Sequence, residues 1–418
     1  MNRPEQGVAG DIRILGFVCG AKQPRSAPEM ELTDLRIALF SGNYNYVRDG
    51  ANQALNRLVG YLLRRGACVR VYAPTVKHPA FPPTGDLVSL PSLPFPMRSE
   101  YRFPLGLSRK VRADLTQFAP NVLHVSSPDF SAHSALKWAE RQNLPVLASV
   151  HTRFDTYMRY YGLGFTEPML NAMMRRFYQR CDAVMAPSES MATVLRAEGM
   201  GQDVGIWSRG VDRAIFDPSR RDLAWRRELG IGDQEVTIGF LGRLVMEKGL
   251  DVVAESIAAL QSRGVAHRVL VVGDGPAREW LAERLPQAVF AGFQTGADLG
   301  RAVASMDVLL NPSITETFGN VTLEAMACGV PVVAAAATGS ESLVADGLTG
   351  RLIAPGDAAE FANALATYAA QPTLRRDHGR AAEMHSRAYD WDRINHTVAE
   401  TYLRLVRARM APAARAGG

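Results

Sequence analysis

Glu316 and Glu324 bracket the seven residues Thr317-Phe318-Gly319-Asn320-Val321-Thr322-Leu323. Asn311-Pro312-Ser313 closes a strand-like run, so Glu316 falls on the loop that follows it. Gly319 permits close backbone approach. A helix is expected to start near Asn320, to run over Val321–Cys328, and to stop at Gly329, an ordinary glycine stop. The N-terminus of such a helix offers free N–H groups and the positive end of a dipole, a place for a diphosphate. About one turn further in, Glu324 is set to accept hydrogen bonds from ribose hydroxyls, and Glu316 from sugar hydroxyls. Two glutamates alone would only cap or solvate a helix start. The Gly-Asn between them and the strand–loop–helix setting carry the functional reading.

A second cluster is Gly242-Arg243-Leu-Val-Met-Glu-Lys248-Gly249. A strand ends at Leu241 and a helix begins near Gly249, which leaves Lys248 at a helix N-terminus, where the dipole disfavours a cation. A diphosphate between the two resolves that conflict. Arg243 can hold it bidentately and Lys248 acts as a point charge. Together they can neutralise a leaving nucleotide diphosphate without a metal. Gly273-Asp274-Gly275 is too short for a dinucleotide fingerprint, since Arg278 occupies its last position; it reads as a turn at the nucleotide end of a cleft. Asp390-Trp391-Asp392 spells Asp-x-Asp but lies beside a helix start, and capping is its better reading.

The elements that must position these residues alternate along the chain. Strand-like runs are Leu35–Phe40, Val69–Tyr72, Val122–Val125, Val146–Val150 and Ala183–Ala186, with helical patterns such as Asn52–Arg65 and Phe130–Gln142 between them. The pattern restarts at Val236–Phe240, then Val269–Val272, Ala288–Ala291, Val308–Leu310 and Val332–Ala335. Helical patterns Leu250–Arg263, Ala277–Arg284, Leu299–Ser305 and Val321–Cys328 fill the gaps. Such alternation predicts two doubly wound α/β domains with parallel sheets. Their joint is expected near 202–217, giving a tail over 1–30, a first domain over 31–203 and a second over 204–390. A C-terminal helix near 391–410 follows the last α/β unit and is assigned to the first domain. Ligands of these sheets bind at the strands' carboxyl ends, so the cleft between the halves is the expected site.

The 418 residues suit two or three domains, and the 47% hydrophobic and 21% charged composition is that of an ordinary globular protein. No apolar run is long enough to span a bilayer. The short apolar stretch Ile12–Gly20 lacks the basic flank of a signal peptide, and Met30 stands just before the first convincing strand. The four cysteines, Cys19, Cys68, Cys181 and Cys328, are scattered without ligand spacing, consistent with reduced thiols in a cytosolic protein. The net charge of +5 is uneven: the first half is basic and the second slightly acidic. A basic half suits an anionic membrane surface, a nucleic acid or an anionic substrate.

Taken together, Glu316-x7-Glu324, Gly242-Arg243…Glu247-Lys248-Gly249 and Val272-Gly-Asp-Gly-Pro276 resemble glycosyltransferase family 4, whose members are retaining enzymes of the GT-B fold. The N-terminal half narrows the resemblance. Pro94-Phe-Pro…Glu100-Tyr-Arg102, Pro120-Asn-Val-Leu-His124-Val, His151-Thr…Tyr157…Tyr160-Tyr-Gly162, Ala186-Pro-Ser188 and Trp207…Gly210-Val-Asp212…Phe216 are similar to two groups. These are bacterial GDP-mannose-dependent α-mannosyltransferases of glycolipid synthesis and sulfoquinovosyl diacylglycerol synthases. The resemblance covers roughly residues 31–405. It implies a glycine loop at Asp49-Gly50-Ala51 that binds donor phosphate or sugar through backbone N–H groups, with Asp49 in place of a commoner Asn or Gly. It implies that His151 is the cleft histidine beside the transferred sugar, followed by Arg153 where these relatives often have Asp. It implies that Gly292 and Phe293 meet the nucleobase. The expected donor site is thus Gly50, Gly242, Arg243, Lys248, Gly273, Gly292, Phe293, Glu316, Phe318, Gly319, Asn320, Val321 and Glu324, with His151, Glu316, Arg243 and Lys248 as catalytic groups. A nucleotide-diphosphate sugar is the co-substrate, with no cofactor and no metal.

Phe95–Lys110 and Met158–Arg180 mix aromatic with basic residues, as the surface of an anionic bilayer requires. Arg98, Tyr101, Arg102, Arg153 and Tyr160 are the expected acceptor and membrane contacts. The resemblance implies a lipid-linked acceptor, and with these segments a peripheral place on the inner membrane face is expected. Alternatives within the class are a UDP-sugar donor or a polysaccharide-precursor acceptor. Isomerase and phosphorylase readings share only the fold, and no nucleic-acid reader motif accompanies the basic half.

Overall fold

The computed structural model describes residues 30–47, 49–95, 98–151 and 167–411. The expected tail over 1–29, and Arg153 and Tyr160, lie outside the described residues. Buried, near-continuous Val, Ile, Leu and Ala runs form the inner strands, the composition of parallel strands covered on both faces, and the outermost strands are partly exposed. In the first half these are β1 (Arg36–Phe40), β2 (Cys68–Pro74), β3 (Asp86–Leu90), β6 (Val122–Val125), β7 (Val146–Ser149), β8 (Ala183–Ala186) and β9 (Val204–Ile206). They make one sheet in the order β3-β2-β1-β6-β7-β8-β9, parallel at every pairing. Between β3 and β6 an antiparallel hairpin stands apart, β4 (Ser92–Phe95) with β5 (Arg98–Pro104).

The second sheet contains β10 (Thr237–Leu241), β11 (Arg268–Val272), β12 (Val289–Gly292), β13 (Val308–Asn311), β14 (Val332–Ala335) and β15 (Gly350–Ile353). Its order is β12-β11-β10-β13-β14-β15, again parallel throughout. In both sheets the order reverses beside the first strand, and the crevices at those switch points are where such folds take ligands.

β9 pairs with β8, so the first sheet runs to Ile206, past the boundary expected at 203 and inside the joint expected near 202–217. The aromatic and basic segment Phe95–Lys110 contributes the hairpin strand β5 and the start of the helix Arg109–Phe118. The C-terminal helix Trp391–Met410 packs on the first half: Ile394, Val398, Ala399, Tyr402, Leu403, Leu405 and Val406 share a core with Leu35, Leu55 and Leu147. Asp390 caps it, accepting from the Arg393 N–H at 2.9 Å, while Asp392 pairs with Arg64 at 2.9 Å. The Asp-x-Asp string is thus a cap and a surface ion pair.

Candidate active site

The second-half wall of the cleft is built from turns that interlock at the carboxyl edge of the sheet. Gly242 N–H donates to Val272 O at 3.0 Å, Leu244 N–H to Asp274 O at 3.0 Å, and Gly273 N–H to Gly292 O at 2.9 Å. The turns after β10, β11 and β12 therefore form one ledge. A Cβ at Gly273, whose φ is +137°, would lie 1.9 Å from Gly242 O; only glycine fits. Arg243 projects from this ledge and is exposed. Gly292 has φ +70°, and Phe293 beside it is 69% exposed, an uncovered ring at the rim.

Lys248 and Glu316, expected as separate contacts to phosphate and to sugar, meet directly. Lys248 Nζ lies 3.0 Å from Glu316 Oε1, with both side chains largely shielded, at 27% and 13% exposure. Lys248 closes a short 3-10 turn (Met246–Lys248) before Gly249, which opens the helix Leu250–Ser262 in the left-handed region. Gly319, with φ +94°, opens the helix Asn320–Ala327 without any side-chain cap, so that helix's first N–H groups keep their donor capacity. Phe318 is buried behind it, in edge contact with Tyr389, while Val321 is half-buried on the first turn. Glu324 sits one turn in. Burial, with the Glu316 carboxylate second, pushes its carboxyl up to about 8. That shift favours the protonated carboxyl, which can donate one hydrogen bond as well as accept.

The first-half wall comes from the turns after β1 and β7. Asp49 caps the helix Gly50–Arg64, accepting from the Asn52 N–H at 2.8 Å. Gly50 faces the opposite wall: a Cβ there would lie 2.2 Å from Asn320 Nδ2. The two helix N-termini, one per domain, thus converge. His151 follows β7, and both of its ring nitrogens have side-chain partners. Its Nδ1 lies 2.8 Å from Arg209 Nη2 and its Nε2 2.9 Å from Ser149 Oγ. What His151 shows to the other domain is its main-chain oxygen, which accepts from Thr317 Oγ1 at 3.0 Å. Ser188 Oγ donates to Thr317 O at 2.8 Å, adding a second bond between the walls.

Sequence reasoning did not single out Arg209, Ser149 or Thr317, and Ser188 entered only within a quoted string. Their roles arise from partners far along the chain. Of the expected acceptor contacts, Arg98 lies in β5, and Arg102 spends its guanidinium within the hairpin, donating to Ser92 Oγ at 2.8 Å and Ser92 O at 3.2 Å. Tyr101 on the same strand is half-buried.

Comparison with known proteins agrees with this fold. The family profile described as "Glycosyltransferase Family 4" matches residues 48–214, and "Glycosyl transferases group 1" matches residues 235–371. A GDP-mannose-dependent alpha-mannosyltransferase of Mycolicibacterium smegmatis is 35% identical over 327 residues, 76% of this chain and 84% of that protein. Sulfoquinovosyl transferase SQD2 of Arabidopsis thaliana is 30% identical over 381 residues, 88% of this chain and 73% of that one. Among solved structures, sucrose-phosphate synthase from Thermosynechococcus elongatus superposes with a TM-score of 0.71 at 21% identity, covering 89% of this chain and 99% of the other. WaaG, a glycosyltransferase involved in lipopolysaccharide biosynthesis, gives 0.67 at 20% identity, covering 88% and 99%. Two parallel-sheet domains, a cleft ledge of glycine turns and relatives of this identity lead to one assignment: the chain belongs to glycosyltransferase family 4 and is a hexosyltransferase of the GT-B fold.

Proposed function

We propose that this protein transfers a hexosyl group, mannose from GDP-mannose before other donors, to a lipid-linked acceptor at the cytosolic membrane face, with retention of configuration and without a metal ion. The observation that carries the reading is the convergence of Lys248, Glu316, Glu324 and the uncapped helix at Asn320 on one sheet edge, opposite Gly50 and His151. A nucleotide diphosphate laid there meets Arg243, Lys248 and free N–H groups. As the bond from the anomeric carbon to the diphosphate breaks, charge grows on the leaving phosphate oxygen, where these donors stabilise it most. The acceptor hydroxyl attacks the same face of an oxocarbenium-like sugar and gives its proton to that phosphate.

GDP-mannose is favoured by the two mycobacterial mannosyltransferases, 35% and 32% identical. A lipid acceptor is supported by the likeness to SQD2 and, at 25% identity over 333 residues, to an alpha-monoglucosyldiacylglycerol synthase of Streptococcus pneumoniae. The same likenesses sustain a second reading, a UDP-sugar donor. Apolar side chains exposed on the first half support membrane contact: Leu93 (56%), Leu105 (53%), Phe130 (58%), Met169 (65%) and Met173 (53%). Phe103 stacks edge-on with Phe130 at 5.1 Å, and Arg175 and Arg176 are exposed on the helix that bears Met169 and Met173. No described helix is long and apolar enough to cross a membrane.

A thermal-shift screen of GDP-mannose against UDP-glucose, UDP-glucuronate and UDP-sulfoquinovose tests the donor, because a ligand that binds only the folded chain raises its Tm. A shift with UDP-sugars alone would replace the first reading by the second. Salt-sensitive co-flotation with anionic vesicles is expected; recovery in the unbound fraction at low salt removes the membrane-surface claim.

A further inference from the structure

Arg209 is 4% exposed, and its guanidinium has no carboxylate at ion-pair distance among the described residues. Nη1 donates to Trp207 O at 2.9 Å and Ser208 O at 3.2 Å, the cation lies 5.1 Å from the centre of the Trp207 ring, and Nη2 points at His151 Nδ1. Burying a cation is costly. Burial lowers its pKa to about 10, and only the field of Asp49, at the cap beside Gly50, acts the other way. A buried cation kept at that cost, against the one histidine whose carbonyl touches the facing domain, implies a task there.

A guanidinium only donates, so His151 Nδ1 must accept. The ring is therefore neutral with its proton on Nε2, and that N–H donates to Ser149 Oγ. Ser149 Oγ in turn lies 2.7 Å from His124 Nε2, and His124 Nδ1 lies 2.5 Å from Tyr402 Oη on the C-terminal helix. Trp207 packs edge-on against both imidazoles, at 5.5 Å from His151 and 5.9 Å from His124. Both histidines are held well below their ordinary pKa, chiefly by burial, and for His151 also by the Arg209 charge.

We propose that Arg209 is a positioning residue of the transferase: it locks the His151 ring as the Nε2–H tautomer and so holds the His151 carbonyl against Thr317, the residue after Glu316. The polar chain through Ser149 and His124 to Tyr402 ties that carbonyl to the seating of the C-terminal helix. A ring free to turn would let the carbonyl drift, and a cleft misplaced by an ångström loses rate rather than ground-state donor contacts. This depends on the cleft and on hexosyl transfer, not on which nucleotide sugar is the donor.

The wild-type protein supplies the first test. In 15N spectra of histidine-labelled protein, with the His151 signal assigned by its loss in His151→Gln, Nε2 should carry the proton and Nδ1 should be bare. A protonated Nδ1 overturns the proposal, whatever the donor proves to be and whether or not the Arg209 variants fold. Arg209→Met should lower kcat about 10- to 100-fold with GDP-mannose, or with the UDP-sugar that raises Tm, while KM for that donor stays within about twofold. Arg209→Lys, which keeps a donor and the charge, should recover most of the rate. Unchanged kcat in Arg209→Met, or a loss carried by KM alone, rejects the positioning role.

Discussion

At the scale of single residues, the site is a set of groups that neutralise one another until substrate arrives. The ion pair between Lys248 and Glu316 keeps a cation and a carboxylate preformed without leaving either alone in a shielded place. On the proposed reading, a donor diphosphate would take over the charge of Lys248 and free Glu316 for sugar hydroxyls. Lys248→Ala and Glu316→Ala are each expected to lower kcat by about a hundredfold or more, measured as turnover at saturating donor. Near-normal turnover in either variant would remove these residues from the chemistry. Glu324 gives a pH signature. Its carboxyl is raised from 4.5 to about 8, so between those values the folded chain keeps a proton that the unfolded chain releases. Stability contributed at this position therefore falls as pH rises from 4.5 towards 8, by up to about 1.4 kcal/mol per pH unit. Glu324→Gln should flatten the fall. Urea unfolding of both proteins at pH 5, 6.5 and 8.5 reads it, and identical pH slopes would contradict it.

At the scale of elements, interlocked turns set the ledge. Gly273 and Gly230 separate two costs. Both have positive φ, +137° and +73°, but a Cβ at Gly273 collides with Gly242 O whereas nothing lies within 4 Å at Gly230. Gly273→Ala should cost about 2–3 kcal/mol and abolish the donor-induced rise in Tm; Gly230→Ala should cost about 1 kcal/mol and leave it intact. Equal losses would mean that the ledge is not tightly packed. The sequence made the central strands readable because β1, β6, β8, β10 and β14 are short apolar runs between helical periods. It hid β3, β9 and β15, which are partly exposed edge or near-edge strands whose polar or glycine residues, as in Asp86-Leu-Val-Ser-Leu and Val204-Gly-Ile, resemble linkers. The hairpin was hidden by Pro94 and by its separation from either sheet. The donor ledge was legible because its residues lie close together in the chain around glycines. Arg209 and Tyr402 were not, because their meaning lies in contacts to His151 and His124, 58 and 278 residues away, and Ser149 gains its meaning by joining those two histidines.

At the scale of the whole molecule, the cleft is narrow because two helix N-termini, one from each domain, meet across it. Gly50 leaves room for the Asn320 amide, and the bonds from Thr317 to His151 and from Ser188 to Thr317 fasten the same approach, joined by the Ser190 and Ser342 hydroxyls 2.8 Å apart. These contacts are few and polar, as expected of domains that must part to admit a donor. Gly50→Val keeps the backbone N–H and needs no unusual φ, so its effect should come from the blocked approach alone. The donor, held by the second domain, should bind with affinity within about threefold, while kcat falls about tenfold or more because the walls no longer meet. The radius of gyration by small-angle scattering should rise in the donor-bound variant relative to the donor-bound wild type. If contact with Asn320 is the cause, the cost of Gly50→Val must shrink in an Asn320→Ala background, since residues in contact are not additive. Additive losses, or a Gly50→Val enzyme that turns over normally, would mean that catalysis does not require the two helix ends to come together.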